Sequence, residues 1–550
     1  MDAVAHRGEL VPQVRFHVPG HKGRRGADVR DNSTATSTLQ DALNTRPPGH
    51  ETWDTHDPVP LPYRYDTTEV SNLDNLQAPA SVIRDAQELA ADVFRADQTW
   101  FLVNGATVGL HAAIMALCPH TTDCVLLARN VHQSALNGVI LAGCEVGWVG
   151  VEAMDGVGGG VRVEDVEEGL RRGGGRVKGV VVVSPTYYGV VSGLEGLGEV
   201  CRRWGAVLVV DEAHGGHLGF VPGCRELAAL HSGAPELLVI QSTHKVLGAL
   251  TQASMLHAKG VSSAIRQRVS STLRMLQSSS PSYLLMASLD AARWEVAHDD
   301  IFGNVQRVCA AATRVHEWFQ GERPVCRALG ISLRLLDAPV GRIDPWRLTV
   351  VIDANSKNAE NELRNEHGDE HEKVPTGFSV ADLLERRRGV VAEMATARCI
   401  VFACGIRTTM EDAERLIEAF GWLTAFEDKD RNVLEYINAD DIARDDGTRI
   451  APSLSTSVFS MTCPRDAYTA HHVPVPRDLA VGRTAAESIT VYPPGIPVIC
   501  IGDTIRQDVL HHLVGQLESG AAITGAADPS LETFLVVAEN DEQRVLHTTK

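Results

Sequence analysis

Two apolar runs that stop on chemically active side chains constrain this chain most. Ala206-Val207-Leu208-Val209-Val210 ends at Asp211 and opens Asp211-Glu212-Ala213-His214. Leu237-Leu238-Val239-Ile240 leads into Ser242-Thr243-His244-Lys245. Short runs of this composition predict buried strands with a polar residue at the end. Further strands are expected at 101–103, 125–127 and 180–183. Helices are expected after the 104–107 turn as far as 117, and at about 131–141 and 194–204. Another should begin near Pro79, with Val82, Ala86, Leu89, Ala90 and Val93 along its apolar face. Strands alternating with helices imply an α/β fold with a mostly parallel sheet covered on both sides. Ligands of such sheets sit outside the carboxyl ends of the strands, where Asp211 and Lys245 both fall.

A chain of 550 residues has room for two or three domains. The expected division is an N-terminal arm over 1–77, a major domain over 78–300 and a smaller α+β C-terminal domain over 301–550. The arm contains a stretch of little periodicity at 31–62. The C-terminal part carries a polar insertion at about 355–377, and 464–483 reads as a linker. Two or three helices should follow residue 261. A net charge of −19 argues against nucleic acid or an anionic membrane as partner. It suits a cationic small molecule, although many soluble enzymes are acidic. The 11 cysteines include no CxxC pair, and Cys118, Cys124, Cys144 and Cys201 read as core thiols. With no apolar run of membrane-spanning length and no apolar segment before Phe16, a cytoplasmic protein is expected.

A lysine and a carboxylate on successive strand ends are what pyridoxal phosphate chemistry requires. The amine joins the cofactor aldehyde, and the acid keeps the pyridine nitrogen protonated so that the ring accepts electrons. Asn104-Gly105-Ala106-Thr107 opens a helix whose free N–H groups and dipole suit a phosphate. Gly105 allows close approach, Thr107 offers a hydroxyl, and Ser242 and His244 could donate to the same group. His132 could stack on a planar ring, and Thr186 could hydrogen-bond the cofactor's phenolic oxygen. Each has an ordinary alternative: a glycine turn, a structural histidine, a strand-to-helix turn or, for Asp211, a helix cap. Asp211-Glu212-Ala213-His214 also spells a helicase motif, but the chain has no Gly-Lys-Ser/Thr phosphate loop. His214 and His217 lie three apart, yet no matching ligand set completes a metal site, so none is expected.

Several blocks in order resemble the bacterial-type ornithine/lysine/arginine decarboxylases, pyridoxal phosphate enzymes of the aspartate aminotransferase fold (fold type I). They are Phe16-His17-Val18-Pro19-Gly20-His21-Lys22-Gly23, Asp66-Thr67-Thr68-Glu69, Leu73-Asp74-Asn75-Leu76, Ser242-Thr243-His244-Lys245 with Gln252-Ala253-Ser254, and Tyr492-Pro493-Pro494-Gly495-Ile496-Pro497. Ser184-Pro185-Thr186-Tyr187-Tyr188-Gly189 and Ser278-Ser279-Ser280-Pro281 belong to the same series. The likeness is to the short form of the family, without an N-terminal wing domain.

The resemblance implies Lys245 as the cofactor lysine and Asp211 as the partner of the ring nitrogen. His132 would stack on one face of the ring and Ala213 on the other, with Thr107, Ser242 and His244 at the phosphate. It also implies a homodimer with shared sites, in which Ser278 or Ser279 reaches the neighbour's phosphate. The implied reaction is decarboxylation of arginine, lysine or ornithine to an amine, as in polyamine metabolism; the alternatives are another pyridoxal phosphate reaction on the same fold, such as transamination or a lyase reaction, and a non-catalytic regulatory relative. Lys245 or His244 is the candidate to protonate the α-carbon, and Glu393 or Asp503 to meet the basic end of the substrate. Ala106 replaces a hydroxyl residue of the family, and Ile501-Gly502-Asp503 replaces Pro-Gly-Glu, which shortens the carboxylate arm.

Overall fold

The computed structural model describes residues 14–16, 66–69, 73–154, 157–327, 329, 331–337, 342–354, 374–426, 442–443, 453–492, 495–518 and 520–541. The 31–62 stretch, the 355–373 part of the polar insertion, and 17–23 of the first motif lie outside them.

The major sheet contains β1 (Gln98–Leu102), β2 (Cys124–Ala128), β3 (Glu145–Val149), β4 (Val177–Val183), β5 (Val207–Asp211), β6 (Leu237–Gln241) and β7 (Ser254–Lys259). Its order is β3-β2-β4-β5-β6-β7-β1, and the late strand Val458–Thr462 adds antiparallel to β3. The five strands from β3 to β6 run parallel, and β7 is antiparallel to both its neighbours. This is the expected α/β fold with a mostly parallel sheet. β2 is wholly buried, as are β5 and β6, which is why they read as unbroken apolar runs rather than alternating ones. The chain order reverses between β2 and β4, the kind of crevice where α/β sheets bind ligands. Register sets Asp211 beside Val183 on one side and Ile240 on the other. The segments that follow β4, β5 and β6 therefore leave the same edge together.

Helix α1 (Val82–Phe94) forms, but its buried face is Ile83, Gln87, Ala90, Ala91 and Phe94. Val82 and Leu89, expected on the apolar face, are 55% and 51% exposed. The buried stripe has a polar member: Gln87 Oε1 accepts from Phe101 N at 2.9 Å. A pattern built from apolar residues alone therefore slips by one position. The start of α1 is held by the Asp74 carboxylate, which accepts from the N–H groups of Ala80, Ser81 and Ile83. Helices α2 (Gly105–Leu117) and α3 (Gln133–Ala142) pack against each other beside the sheet. Cys118, Cys124, Cys144 and Cys201 are buried, as expected.

Three long helices, Ser263–Leu276, Tyr283–Ala297 and Asn304–Glu322, follow β7, with the single turn Asp299–Phe302 between the last two. A second sheet then contains β8 (Val325–Cys326), β9 (Ile331–Leu335), β10 (Arg347–Ala354), β11 (Met394–Ala395) and β12 (Cys399–Ala403), in the order β8-β9-β10-β12-β11. Its core includes Trp346, Leu348, Phe402 and Phe420. A third cluster gathers Ile489, Val498, Leu513, Phe534 and Val536. Residues 464–483 are not a linker. They form a helix (Pro464–Thr469), a strand (His472–Pro476) paired with Thr533–Val537, and a short helix (Arg477–Ala480). Pro464 occupies the first helical turn, where a missing N–H costs nothing, and Pro474 and Pro476 lie in a two-stranded ribbon that tolerates them.

Candidate active site

β5 and β6 deliver Asp211 and the 242–245 segment to one sheet edge. Lys245 lies in a single helical turn, Thr243–Val246, immediately after β6. Asp211 is 5% exposed, and its Oδ1 accepts from Ala213 N at 3.2 Å. Burial pushes the Asp211 carboxyl above the usual range, and the Lys245 charge opposes that push. Lys245 experiences the converse. Burial pulls its amine below the ordinary lysine value, Asp211 and Glu393 hold it up, and Arg347 pulls it further down.

Lys245 Nζ stands 2.9 Å from His214 Nε2, and the other ring nitrogen, His214 Nδ1, is 2.7 Å from Arg347 Nη2. Arg347 opens β10, so the second sheet reaches into the site. Its guanidinium is buried, and Nε and Nη1 have no hydrogen-bond partner among the described residues. The Tyr187 ring packs 4.5 Å from the His214 ring, and its hydroxyl donates to Glu393 Oε1 at 2.7 Å. Three residues beyond His214, His217 Nε2 meets Asp344 Oδ1 at 2.8 Å, with its ring stacked on Trp346 at 4.4 Å. The two histidines thus serve different partners. Among the described residues, no group of three or more His, Cys, Asp or Glu is gathered as metal ligands.

The other expected residues fall as follows. Gly105 starts α2 at φ +75°, a conformation that favours glycine, and its N–H donates to Gln252 O at 3.0 Å. That bond ties the helix start to the loop after Lys245. Ala106 is half-buried and Thr107 is exposed on the first turn. Ser242 is buried, and His244 Nδ1 bonds Ala253 O at 3.0 Å. His132 caps α3: its Nδ1 accepts from Ser134 N at 3.2 Å. Burial, and then the Lys245 charge, pull its pKa down to about 4, so the ring is neutral. A Cβ on Gly495 would come within 3.2 Å of the His132 ring, so Gly495 lies directly against it. Thr186 is buried, and its Oγ1 accepts from Val190 N at 3.2 Å. Ala213 is half-buried beside Asp211. Ser278 N donates to Asn104 Oδ1 of the same chain at 3.3 Å, and Ser279 is exposed. Asp503 is engaged by Arg129 at 3.0 Å, whose guanidinium lies 4.3 Å over the Trp148 ring.

Asp211, Lys245, His132, His244 and Glu393 are thus gathered electrostatically or by contact around His214 and Lys245. His214 was visible only as a possible metal ligand, and Tyr187 only as part of a motif. Sequence pattern alone does not mark Arg347. Its one signal was a cation at the mouth of the apolar run Leu348-Thr349-Val350-Val351-Ile352.

Residues 58–324 match the family described as "Orn/Lys/Arg decarboxylase, major domain". The chain is 28% identical over 532 residues to an arginine decarboxylase of Bacillus subtilis (strain 168), covering 96% of this chain and 95% of that one. It is 30% identical over 484 residues to the uncharacterized protein YaaO of the same organism, covering 87% and 90%. The lysine decarboxylase LdcF of Francisella novicida has the same fold, with a TM-score of 0.70 at 17% identity, over 92% of this chain and 80% of that one. The chain is an amino acid decarboxylase. It belongs to the Orn/Lys/Arg decarboxylase family.

Proposed function

We propose that this enzyme decarboxylates a basic amino acid with pyridoxal phosphate joined to Lys245, yielding an amine of the polyamine type. The observation that carries this reading is the buried Asp211 opposing Lys245 across adjoining ends of β5 and β6. The donor chemistry fits the cofactor: first-turn N–H groups of α2, the Thr107 and Ser242 hydroxyls and His244 for a phosphate, a neutral His132 ring for stacking, and a buried acid for a ring nitrogen. Bound there, the cofactor would supply an electron sink for the pair released as carbon dioxide leaves.

The chain's own residues do the rest. Asp211, in a low-dielectric setting, favours a cation facing it and so keeps the sink charged. Glu393, held by the Tyr187 hydroxyl, is the second acid after Asp211 whose charge acts on Lys245, and it would take the basic end of the substrate. The arginine decarboxylases among its relatives support a basic substrate without choosing among arginine, lysine and ornithine. We also assign a cytoplasmic homodimer in which Ser278 or Ser279 reaches the neighbouring site, and a division at about residues 78 and 301.

A substrate panel tests this reading. Wild type should release an amine and carbon dioxide from at least one basic amino acid. Lys245→Ala should lose the borohydride-fixable cofactor and nearly all turnover. Asp211→Ala should keep the cofactor link and lose most of the rate, by about 10²-fold or more if the acid supplies an electrostatic contribution of ordinary size. An Asp211→Ala enzyme of undiminished rate overturns the electron-sink role.

A further inference from the structure

The row Arg347–His214–Lys245 leaves little freedom for its protons. A guanidinium carries donors only. At 2.7 Å, therefore, Arg347 Nη2 donates and His214 Nδ1 accepts. An imidazole with a bare Nδ1 and no net charge has its proton on Nε2. The imidazolium is incompatible with the same contact, because both its nitrogens would be donors. Burial and the neighbouring Lys245 and Arg347 charges also hold the His214 pKa far down. His214 Nε2–H must then donate across 2.9 Å to Lys245 Nζ. Only an amine with a free lone pair can accept it, and an ammonium has none.

We infer that Arg347 and His214 form a positioning relay that holds Lys245 as the unprotonated amine. This rests on the reading of Lys245 as the cofactor lysine. Only the unprotonated amine attacks a carbonyl carbon, and desolvation or a neighbouring cation is how a protein keeps lysine in that form. Asp211 and Glu393 face Lys245 and favour its ammonium; Arg347 opposes them. His132 is neutral, and Tyr187, whose ring centre is 6.0 Å from Nζ, commits its hydroxyl to Glu393. His244 completes the set of ionisable groups around the His214 ring. The donor-only guanidinium, fixed on the far side of that ring, decides which way its dipole points.

The test is site-resolved labelling of Lys245 in the full-length protein freed of cofactor. The reaction is isotopic reductive methylation with formaldehyde and cyanoborohydride, followed across pH by mass spectrometry. Wild type should label with a midpoint at least about one pH unit below the ordinary lysine value of about 10.4. A wild-type midpoint at that ordinary value overturns the relay without recourse to any variant. His214→Phe removes the relay but keeps the Arg347 charge, so the midpoint should rise by about one unit, roughly a tenfold loss of labelling at neutral pH. Arg347→Met should raise it too, and Arg347→Lys, which also only donates, should restore it. If Arg347→Met shifts the midpoint but a folded His214→Phe does not, simple charge repulsion replaces the relay. Borohydride fixation of added pyridoxal phosphate is scored in parallel on wild type. Fixation with an ordinary midpoint leaves the proposed function standing and removes the relay. A low midpoint without fixation keeps the relay and removes that function.

Discussion

Glu212, one residue beyond Asp211, should make the protein less stable as pH rises through neutrality. Its side chain is fully buried. Ala229 N donates to Oε1 at 2.7 Å and Gln241 Nε2 to Oε2 at 2.7 Å. Gln241 in turn meets His257, 3.2 Å away, which bonds Thr99 at 2.8 Å. Burial pushes the carboxyl up to about 8, the two hydrogen bonds offsetting it only in part. In the unfolded chain the value is about 4.3. The folded state therefore holds the proton more tightly. The associated stability is complete below about pH 4 and is lost as pH rises to about 8. Between about pH 6 and pH 8 the loss is about 2 kcal/mol at 1.36 kcal/mol per unit, allowing for half-ionisation at the upper end. Glu212→Gln removes the ionisation. Its amide oxygen can keep the Ala229 bond, and the Gln241 amide can rotate to face the new NH₂ group. The melting temperature of the variant should therefore gain on wild type by roughly 4–8 °C between those two pH values, the scale for a cooperative unit of about 150–250 residues. Calorimetric melts of both proteins without cofactor, at both pH values, give the double difference. Parallel curves for wild type and variant would refute a neutral Glu212 and the buried network built on it.

Two further perturbations probe the ion pairs around the site. His217→Phe keeps the stack on Trp346 but strands the Asp344 carboxylate, which His217 holds below the usual range against the upward push of burial. The expected cost is about 3 kcal/mol or more, read as a fall in urea midpoint, and Asp344→Leu in the same chain should recover part of it. Asp503→Ala should strand the buried Arg129 and lower the melting temperature while leaving KM for the basic substrate within about twofold, since Arg129 already occupies that carboxylate. A large rise in KM without loss of stability would instead put Asp503 in the substrate pocket.

What the sequence made legible was local. β5 and β6 are buried on both faces, so their composition alone announced them, and the polar residues that follow each run pointed to a carboxylate and a lysine at one sheet edge. His132 and the 104–107 turn were readable for the same reason: each opens a helix directly after a strand. What stayed hidden was set by partners distant in the chain. Gln87 sits in a core stripe because Phe101 N needs an acceptor, and Leu89 is correspondingly turned outward. Arg347 looks like an ordinary strand-flanking cation until β10 is brought to within hydrogen-bonding distance of a residue 133 positions earlier. Residues 464–483 read as a linker because three prolines mask a helix start and a ribbon strand whose partner arrives only at Thr533–Val537.

The two spacings that meet behind Lys245 explain how the second sheet can govern chemistry on the first. His214 and His217 are three apart in the turn after β5, and Asp344 and Arg347 are three apart at the entry to β10. They pair crosswise, His214 with Arg347 and His217 with Asp344. Each contact is buried, so neither can be traded for water without the cost of an unpaired buried polar group. A rigid shift between the sheets that breaks the Asp344 contact must also move Arg347, and with it the donor that sets the His214 tautomer. The protonation state of Lys245 thereby becomes a property of how the two sheets are joined rather than of β6 alone. His217→Phe, far from Lys245 in bonding terms, should consequently raise the Lys245 labelling midpoint in proportion to the loosening it causes. A variant that loses stability yet leaves that midpoint untouched would show that the His214–Arg347 contact does not depend on the His217–Asp344 pair.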